Sequence, residues 1–367
     1  MDRVGIGIIG TGKISSAYIE AAKNFPILDI RALADLNPTV SQAKADEYGL
    51  RSVAMDDIFT DPQVDIILNL TIPKAHVEVG LRALEAGKHV YSEKPLGITF
   101  EQGRQLVEAG RQKGLRVGCA PDTFLGGSHQ SARLLMDQGI LGKPVGGTAY
   151  FMCPGHERWH PNPAFYYEAG GGPMLDMGPY YITDLVNLFG PVAKVAGATA
   201  MPSRTRTITA KERAGEVIPV HVPTHVSGTL IFRNDAVVQI TMSFDVAGHR
   251  HVPLELYGTD ATLLVPDPNT FGGQLELLRK GGEWEKIPTT LPYGDGTNYR
   301  SIGLADMAQA LVSNRPHRAS GELALHVLEV MEAFERSMES GRHVEMTTTL
   351  ERPEPIGSSL VEGSLGA

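Results

Sequence analysis

The stretch VGIGIIGTGKISSAYIEAA, residues 4–22, decides the fold. Residues 4–9 are an apolar, branched run too short for a buried helix. After Gly10-Thr11-Gly12-Lys13-Ile14-Ser15, apolar residues return at helical spacing, at Ile14, Tyr18, Ala21 and Ala22. The pattern reads as strand, tight turn and helix. Two closely spaced glycines at that junction leave backbone N–H groups and the positive end of the helix dipole aimed at whatever lies over the turn, which suits a pyrophosphate. Ser15 stands where a G-x-G-x-x-G pattern has its third glycine. The next strand, residues 28–34, runs into Asp35, 23 positions after Gly12 (35 minus 12), close to where an acidic residue hydrogen-bonds a ribose 2′-hydroxyl. A 2′-phosphate would meet that carboxylate and no arginine among Leu36, Asn37 and Pro38, so NAD is expected rather than NADP.

Outward from this stretch, strands continue to alternate with helices. Asn37-Pro38 starts a helix that stops at Gly49. Residues 51–54 and 64–70 read as further parallel strands. Val77, Leu81 and Leu84 share one face of a helix between Pro73 and Ala86, and residues 89–92 form the next strand. Thr99 with Gln102 makes a capping box for a helix running to Lys113, followed by a strand over 115–119. This order predicts a parallel, doubly wound α/β sheet with its ligand beyond the carboxyl ends of the strands. Past Pro121 the pattern changes. A helix carrying Ala132, Leu135 and Met136 gives way to long extended runs at 148–152, 192–201, 225–246, 253–265 and 275–287, several broken by turn clusters, which favours an antiparallel sheet. Two helices follow, over 301–314 and 320–340, the second with Leu325, Leu328, Met331 and Phe334 along one side, and the tail after Thr349 reads as a loose arm. The expected organisation is a dinucleotide-binding Rossmann domain over 1–121, an α+β substrate-binding and oligomerisation domain over 122–349, and a C-terminal arm over 350–367.

At 367 residues the chain exceeds one comfortable core, in keeping with two domains. A net charge of −9 argues against nucleic acid or an anionic membrane as a partner. Cys119 and Cys153 form neither a metal-type spacing nor a disulfide framework, which suits a reducing compartment. No basic region precedes the first strand and no apolar run approaches a membrane span, so a cytoplasmic protein is expected.

Two clusters carry candidate chemistry. Glu93-Lys94-Pro95 follows a strand at its carboxyl end, which points Lys94 into the crevice where a nicotinamide would lie; the alternative is a solvated loop lysine. In the second domain, Gly170-Gly171-Gly172 opens a helix bearing Asp176 and, one turn later, Tyr180 on the same side. These two are either an acid/base pair or a dipole partner beside a packed aromatic. Upstream, the segment 156–163 with Phe165, Tyr166 and Tyr167 offers aromatic and hydrogen-bonding groups suited to a sugar ring, with His156, Trp159 and His160 as candidate substrate contacts. His156 and His160 have the spacing of a zinc pair, but Pro161 and Pro163 interrupt a helix and no third ligand is evident, so no metal is expected. His249 and His251 share one face of an extended segment and read as exposed, and Tyr299-Arg300 lies within reach of the pocket.

Taken together, GIIGTGKIS, ADLNP after the second strand, Thr71-Ile72-Pro73 with His76, Glu93-Lys94-Pro95 and GGGPMLDMG resemble the Gfo/Idh/MocA family of dehydrogenases over nearly the whole chain. The resemblance implies an N-terminal Rossmann domain, a C-terminal domain on an open, mainly antiparallel sheet, and hydride transfer between NAD(P) and a carbinol carbon of a sugar, cyclitol or related polyol. It implies cofactor contacts at Gly10, Thr11, Gly12, Lys13, Ile14, Asp35, Thr71, Pro73, His76, Glu93 and Lys94, and a substrate-site carboxylate at Asp176. One position departs. The family pattern D-x-G-x-H-x-x-D places a histidine where this chain has Tyr180, and Thr183 where the last aspartate stands, with Asp184 one step later. A phenol starts near pKa ~10 and must fall by roughly three units to act as a base at neutral pH. Tyr180, or next Tyr181, is therefore expected to exchange the substrate proton with Lys94 assisting, and Asp176 or Asp122 is the fallback. The competing functions are a redox-neutral enzyme that cleaves glycosidic bonds or epimerises with retained NAD, and a sensor that binds NAD or a sugar without turnover. An open sheet should expose an apolar face unless paired, which predicts a homodimer or homotetramer.

Overall fold

The computed structural model describes residues 3–289, 291–357, 363, 365 and 366. Its first sheet contains β1 (Val4–Ile9), β2 (Leu28–Ala34), β3 (Ile66–Asn69), β4 (His89–Ser92) and β5 (Val117–Cys119), all parallel, in the order β2-β1-β3-β4-β5. β1 is buried along its whole length because helices cover both faces, which is why it reads as an unbroken apolar run. The helices are α1 (Lys13–Ala22), α2 (Pro38–Tyr48), the short α3 (Met55–Thr60), α4 (His76–Glu85) and α5 (Phe100–Lys113).

Their ends are set by the expected chemistry. Thr39 N donates to the Asn37 side chain (3.1 Å), Pro38 occupies the first turn, and Gly49 ends α2 in the left-handed region. Gln102 N donates to Thr99 Oγ1 (3.3 Å), while the Gln102 side chain returns to Ile98 N, one residue before the usual partner. Residues 51–54 do not extend the sheet: only Ser52 bridges to Leu33, and the chain then turns into α3. The strand order reverses between β2 and β3 about β1, so the topological switch point lies at the carboxyl ends of β1 and β3.

The chain then passes through α6 (Gly127–Asp137), β6 (Pro144–Met152), α7 (Gly172–Phe189), β7 (Val192–Ala200), a small hairpin of β8 (Thr205–Thr207) and β9 (Val217–Pro219), β10 (His225–Phe232), β11 (Val237–Ser243), β12 (Leu254–Gly258), β13 (Ala261–Val265), β14 (Leu275–Arg279), β15 (Trp284–Ile287), α8 (Ile302–Val312), α9 (Gly321–Ser340) and β16 (Val344–Glu345). The second sheet runs β15-β14-β13-β12-β6-β11-β10-β7-β16, antiparallel except for the pairing of β6 with β11. Along one side of α9, Leu325, Leu328, Met331 and Phe334 are buried as their spacing predicts. The helix bridges the two domains: Leu325 and Leu328 press on Gly103 of α5, and Phe334 covers Gly197 of β7. Cys119 N also donates to Ala319 O, so the segment entering α9 lies along the edge of β5.

The uncovered sheet face is mixed: one register row reads Ala196, Thr229, Gln239, Thr148, Glu255, Leu264, Glu276 and Lys286, and Val237 and Trp284 on the same face are exposed. One expectation needs correction. The tail is not loose over 350–357. Arg352 donates to Leu188 O and Asp137, Arg318 donates to Glu354 O and Pro355 O, and Ile356 is buried with its N–H on Gln130. No helix among the described residues is long and apolar enough to cross a membrane.

Candidate active site

The dinucleotide side of the crevice is built from backbone. Gly10 follows β1 at φ +96°, and a Cβ there would lie 2.6 Å from the Leu70 carbonyl, so only glycine lets the β1 and β3 loops meet. Gly12 is the N-cap of α1, and a Cβ on it would point into open space. Thr11, Lys13 and Ile14 complete the turn. Ser15, in the third glycine position, is buried and turns its hydroxyl back to Gly12 O (2.7 Å), which fixes the turn by a different bond. Asp35 Oδ2 accepts from Thr11 N (2.8 Å) and Thr11 Oγ1 (3.1 Å), and Oδ1 accepts from Asn37 N (3.0 Å). A glycine-lined opening at a helix N-terminus, with a carboxylate at the end of the neighbouring strand, fits a dinucleotide.

Thr71 and Pro73 lie in the loop after β3. His76 does not line that wall; it is buried beneath it, with Nδ1 2.7 Å from Pro95 O and Nε2 3.0 Å from Thr71 O, and burial pushes its pKa down. It joins the β3 loop to the β4 loop. Glu93 is likewise buried and acts as a brace: Oε1 accepts from Tyr18 on α1 (2.8 Å) and Oε2 from Lys94 N (2.9 Å).

Lys94 reaches the second domain. Its Nζ donates to Asp176 O (2.6 Å) and Asp176 Oδ1 (2.8 Å) near the start of α7. α7 can begin there because Gly170 and Gly172 adopt φ +91° and +86°. Burial alone would lower the Lys94 pKa, but Asp176, Tyr180 and Glu93 outweigh it and hold the ammonium above its ordinary range. Burial works to raise the Asp176 carboxyl, yet the Lys94 charge and the His156 hydrogen bond bring it down to about 2. The pair is thus an ammonium and a carboxylate at any working pH.

The other Asp176 oxygen, Oδ2, lies 3.1 Å from His156 Nε2. Trp159 Nε1 donates to His156 Nδ1 (3.1 Å), so the neutral ring carries its proton on Nε2 and donates it to the carboxylate. His156 is boxed by Phe151, Trp159, Tyr166 and Phe244. Glu157 anchors this loop: its carboxylate meets Tyr167 and Arg206, and its carbonyl accepts from Thr209 and Ala210. His160 packs edge-on against Trp159, Phe165 and Tyr166, and burial with the nearby Lys13 charge lowers its pKa.

Tyr180 is buried, with the Lys94 ammonium 5.2 Å from its ring centroid and its oxygen accepting from Arg300 Nη1 (3.2 Å). Two expected residues lie elsewhere. Tyr181 projects from the next position of α7 and donates to Asp267 (3.1 Å), away from Lys94. Asp122 is buried and accepts from Gly303 N (3.0 Å) in the first turn of α8; burial raises its carboxyl to about 6 against that bond and the Arg300 charge. Among the described residues no cluster of metal-ligating side chains occurs.

Comparison with known proteins bears on the two domains. Residues 4–120 match the family model "Oxidoreductase family, NAD-binding Rossmann fold", and residues 129–264 match "GFO/IDH/MocA C-terminal domain". The chain belongs to the Gfo/Idh/MocA family of oxidoreductases. Relatives of this Gfo/Idh/MocA protein include a 1,5-anhydro-D-fructose reductase of Ensifer adhaerens, 29% identical over 47% of this chain and 52% of its own. A D-xylose dehydrogenase of Paenarthrobacter nicotinovorans is 30% identical over 49% of this chain and 47% of its own. The match spans about half the length of these curated relatives. The crystal structure of an NAD binding oxidoreductase from Klebsiella pneumoniae shares the fold at a TM-score of 0.82, with 24% identity, covering 94% of this chain and 98% of that one.

Proposed function

We propose that this protein is an NAD-dependent dehydrogenase that oxidises a carbinol carbon of a sugar, cyclitol or related polyol. The observation that carries the reading is the meeting of Lys94 with Asp176 across the crevice, at the carboxyl ends of the Rossmann strands and beside the Tyr180 phenol. The printed activities of the two relatives above, on an anhydrosugar and on xylose, support the substrate class. When bound, the dinucleotide supplies the hydride acceptor. Asp35, with no arginine in the following residues, favours NAD over NADP.

The chain's own residues handle the proton. Lys94 donates a hydrogen bond to the substrate oxygen, favouring the charge that develops as the hydroxyl proton departs. Asp176 fixes the Lys94 rotamer by taking two of its donors. The Tyr180 oxygen, entering the step as the phenolate, takes the proton of the substrate hydroxyl and becomes the neutral phenol; Arg300 already donates to that oxygen. His156, Trp159 and His160 form the wall that reads substrate hydroxyls. A second reading, favoured by the His156–Asp176 contact, gives the proton to His156. It requires Trp159 to release Nδ1.

The test is NADH formation over a panel of sugars, inositols and sugar acids, with deuteride transfer from a labelled substrate. Failure of any substrate to transfer deuteride overturns the dehydrogenase in favour of a sensor. Product without accumulating NADH favours a redox-neutral reaction with retained cofactor. Loss of at least about 10²-fold in kcat/KM for Tyr180→Phe, with His156→Gln less affected, supports the phenol; the reverse order supports the imidazole. The same reading includes a homodimer or homotetramer formed on the uncovered sheet face, tested by light scattering in solution, and a reducing cytoplasm in which Cys119 and Cys153 remain free thiols.

A further inference from the structure

Arg300 is placed too carefully to be an ordinary loop residue. It stands just before α8, and three contacts hold that segment, two to the Rossmann domain and one to Asp122 immediately after it. Ser301 Oγ donates to Tyr18 O (3.0 Å), Gly303 N donates to Asp122 (3.0 Å), and the Arg300 guanidinium lies 3.6 Å from Glu93. Glu93 is itself tied to Tyr18 of α1. From this anchorage the same guanidinium nitrogen reaches across to the Tyr180 oxygen on α7. The side chain is only 15% exposed, so its charge acts where water screens it little.

We propose that Arg300 is a positioning residue of the reaction, which governs the proton held on the Tyr180 oxygen by donating a hydrogen bond to it from a mount on the Rossmann domain. This inference rests on the reading above, in which Tyr180 exchanges the substrate proton. The donated bond occupies one lone pair of the Tyr180 oxygen, and in the deprotonated state another lone pair is left to receive the substrate proton. When the proton arrives or leaves, the adjacent guanidinium favours the deprotonated oxygen.

The groups facing Tyr180 are Lys94 from the β4 loop, Tyr166 from the preceding loop and Arg300, and the two cations have Asp176 and Glu93 as their own partners. Asp176 is already matched by Lys94, and Glu93 accepts from Tyr18 and Lys94 N. Arg300 is therefore the charge whose removal changes the balance at the phenol most directly.

The experiment compares wild type, Arg300→Gln, Arg300→Lys and Tyr180→Phe as full-length protein. It follows kcat/KM against pH and, without substrate or dinucleotide, the 13C resonance of Tyr180 Cζ in tyrosine-labelled protein, assigned by its loss in Tyr180→Phe. In Arg300→Gln the rising limb of kcat/KM is expected to move to higher pH by about one unit or more. That gives about tenfold loss at neutral pH which closes as pH rises. The Tyr180 resonance should titrate later by the same amount, and Arg300→Lys, which keeps the charge but not the planar fork, should fall between. Loss of activity by one factor at every pH, with an unmoved resonance, overturns the inference and makes Arg300 structural. If wild type transfers no hydride but the resonance still moves in Arg300→Gln, the Arg300–Tyr180 coupling stands and the dehydrogenase reading is what fails.

Discussion

The two sides of the crevice are made in different ways. The turn from Gly10 to Ile14 is shaped by backbone, from consecutive residues, at the switch point of a buried sheet. The reacting side is a chain of charged and aromatic side chains that spans both domains, running Tyr18, Glu93, Arg300, Tyr180, Lys94, Asp176, His156 and Trp159, drawn from segments far apart in sequence. A shape made by backbone fails when a Cβ is added. A cluster made by charges fails when one charge loses its counterpart. Substitutions on the two sides should therefore separate dinucleotide affinity and stability from chemical rate.

The largest effect is expected from Lys94→Met. It removes the cation at the reacting oxygen and leaves Asp176 with His156 alone, so kcat/KM should fall by about 10³-fold. NAD binding, measured by fluorescence titration, should change by no more than about twofold, because the pyrophosphate turn is untouched. A parallel collapse of NAD affinity would mean that the two sides do not divide the work in this way.

Next come the two glycines of the turn, which should differ from each other. Gly10→Ala forces a side chain into the left-handed region and against the Leu70 backbone, and is expected to lower stability by about 2 kcal/mol or more, read by chemical denaturation. Gly12→Ala meets no protein atom, so its melting temperature should match wild type. Its methyl group would occupy the space the dinucleotide needs, and NAD should bind at least about tenfold more weakly, roughly 1.4 kcal/mol. Equal NAD affinity in Gly12→Ala and wild type would move the pyrophosphate off this turn.

What the sequence disclosed follows the same division. The turn, the caps at Asn37 and Thr99, and the buried stripe of α9 are local patterns, and they were readable because their causes lie within a few residues. Lys94 and Asp176 could be placed on facing walls from their positions at a strand end and a helix start. The roles of the other residues were not visible in that way. Tyr180 and Tyr181 are neighbours in sequence, yet a helix sends them to different surroundings, one to Arg300 and the other to Asp267. His156 read as a substrate contact or half of a metal pair, and only folding brings it to Asp176. Asp122 and His76 carry the residue types of a site but serve as internal ties, one under α8 and one between two loops. Glu157 had no local signal at all, since its partners Tyr167 and Arg206 are set by the packing of the small hairpin against the loop.

The smallest expected effect concerns stability, and it sharpens the contrast because the turn has no counterpart to it. The Asp176 carboxyl is held at about 2 in the folded chain, below the ~3.9 of an unfolded aspartate. A carboxyl depressed in this way binds fewer protons folded than unfolded, so its contribution is complete above about pH 4 and disappears as pH falls through 2. Lys94 has the opposite sign: its pKa is raised, so its contribution is complete below the ordinary lysine value and is lost only at strongly alkaline pH. Asp176→Asn should therefore melt below wild type at neutral pH by a few degrees, and the gap should narrow between pH 4 and pH 2. Gly12→Ala should show no such dependence. If the gap between wild type and Asp176→Asn stays constant from pH 6 to pH 2, the Lys94–Asp176 contact is not an ion pair in solution, and the charge-built side of the crevice loses its central link.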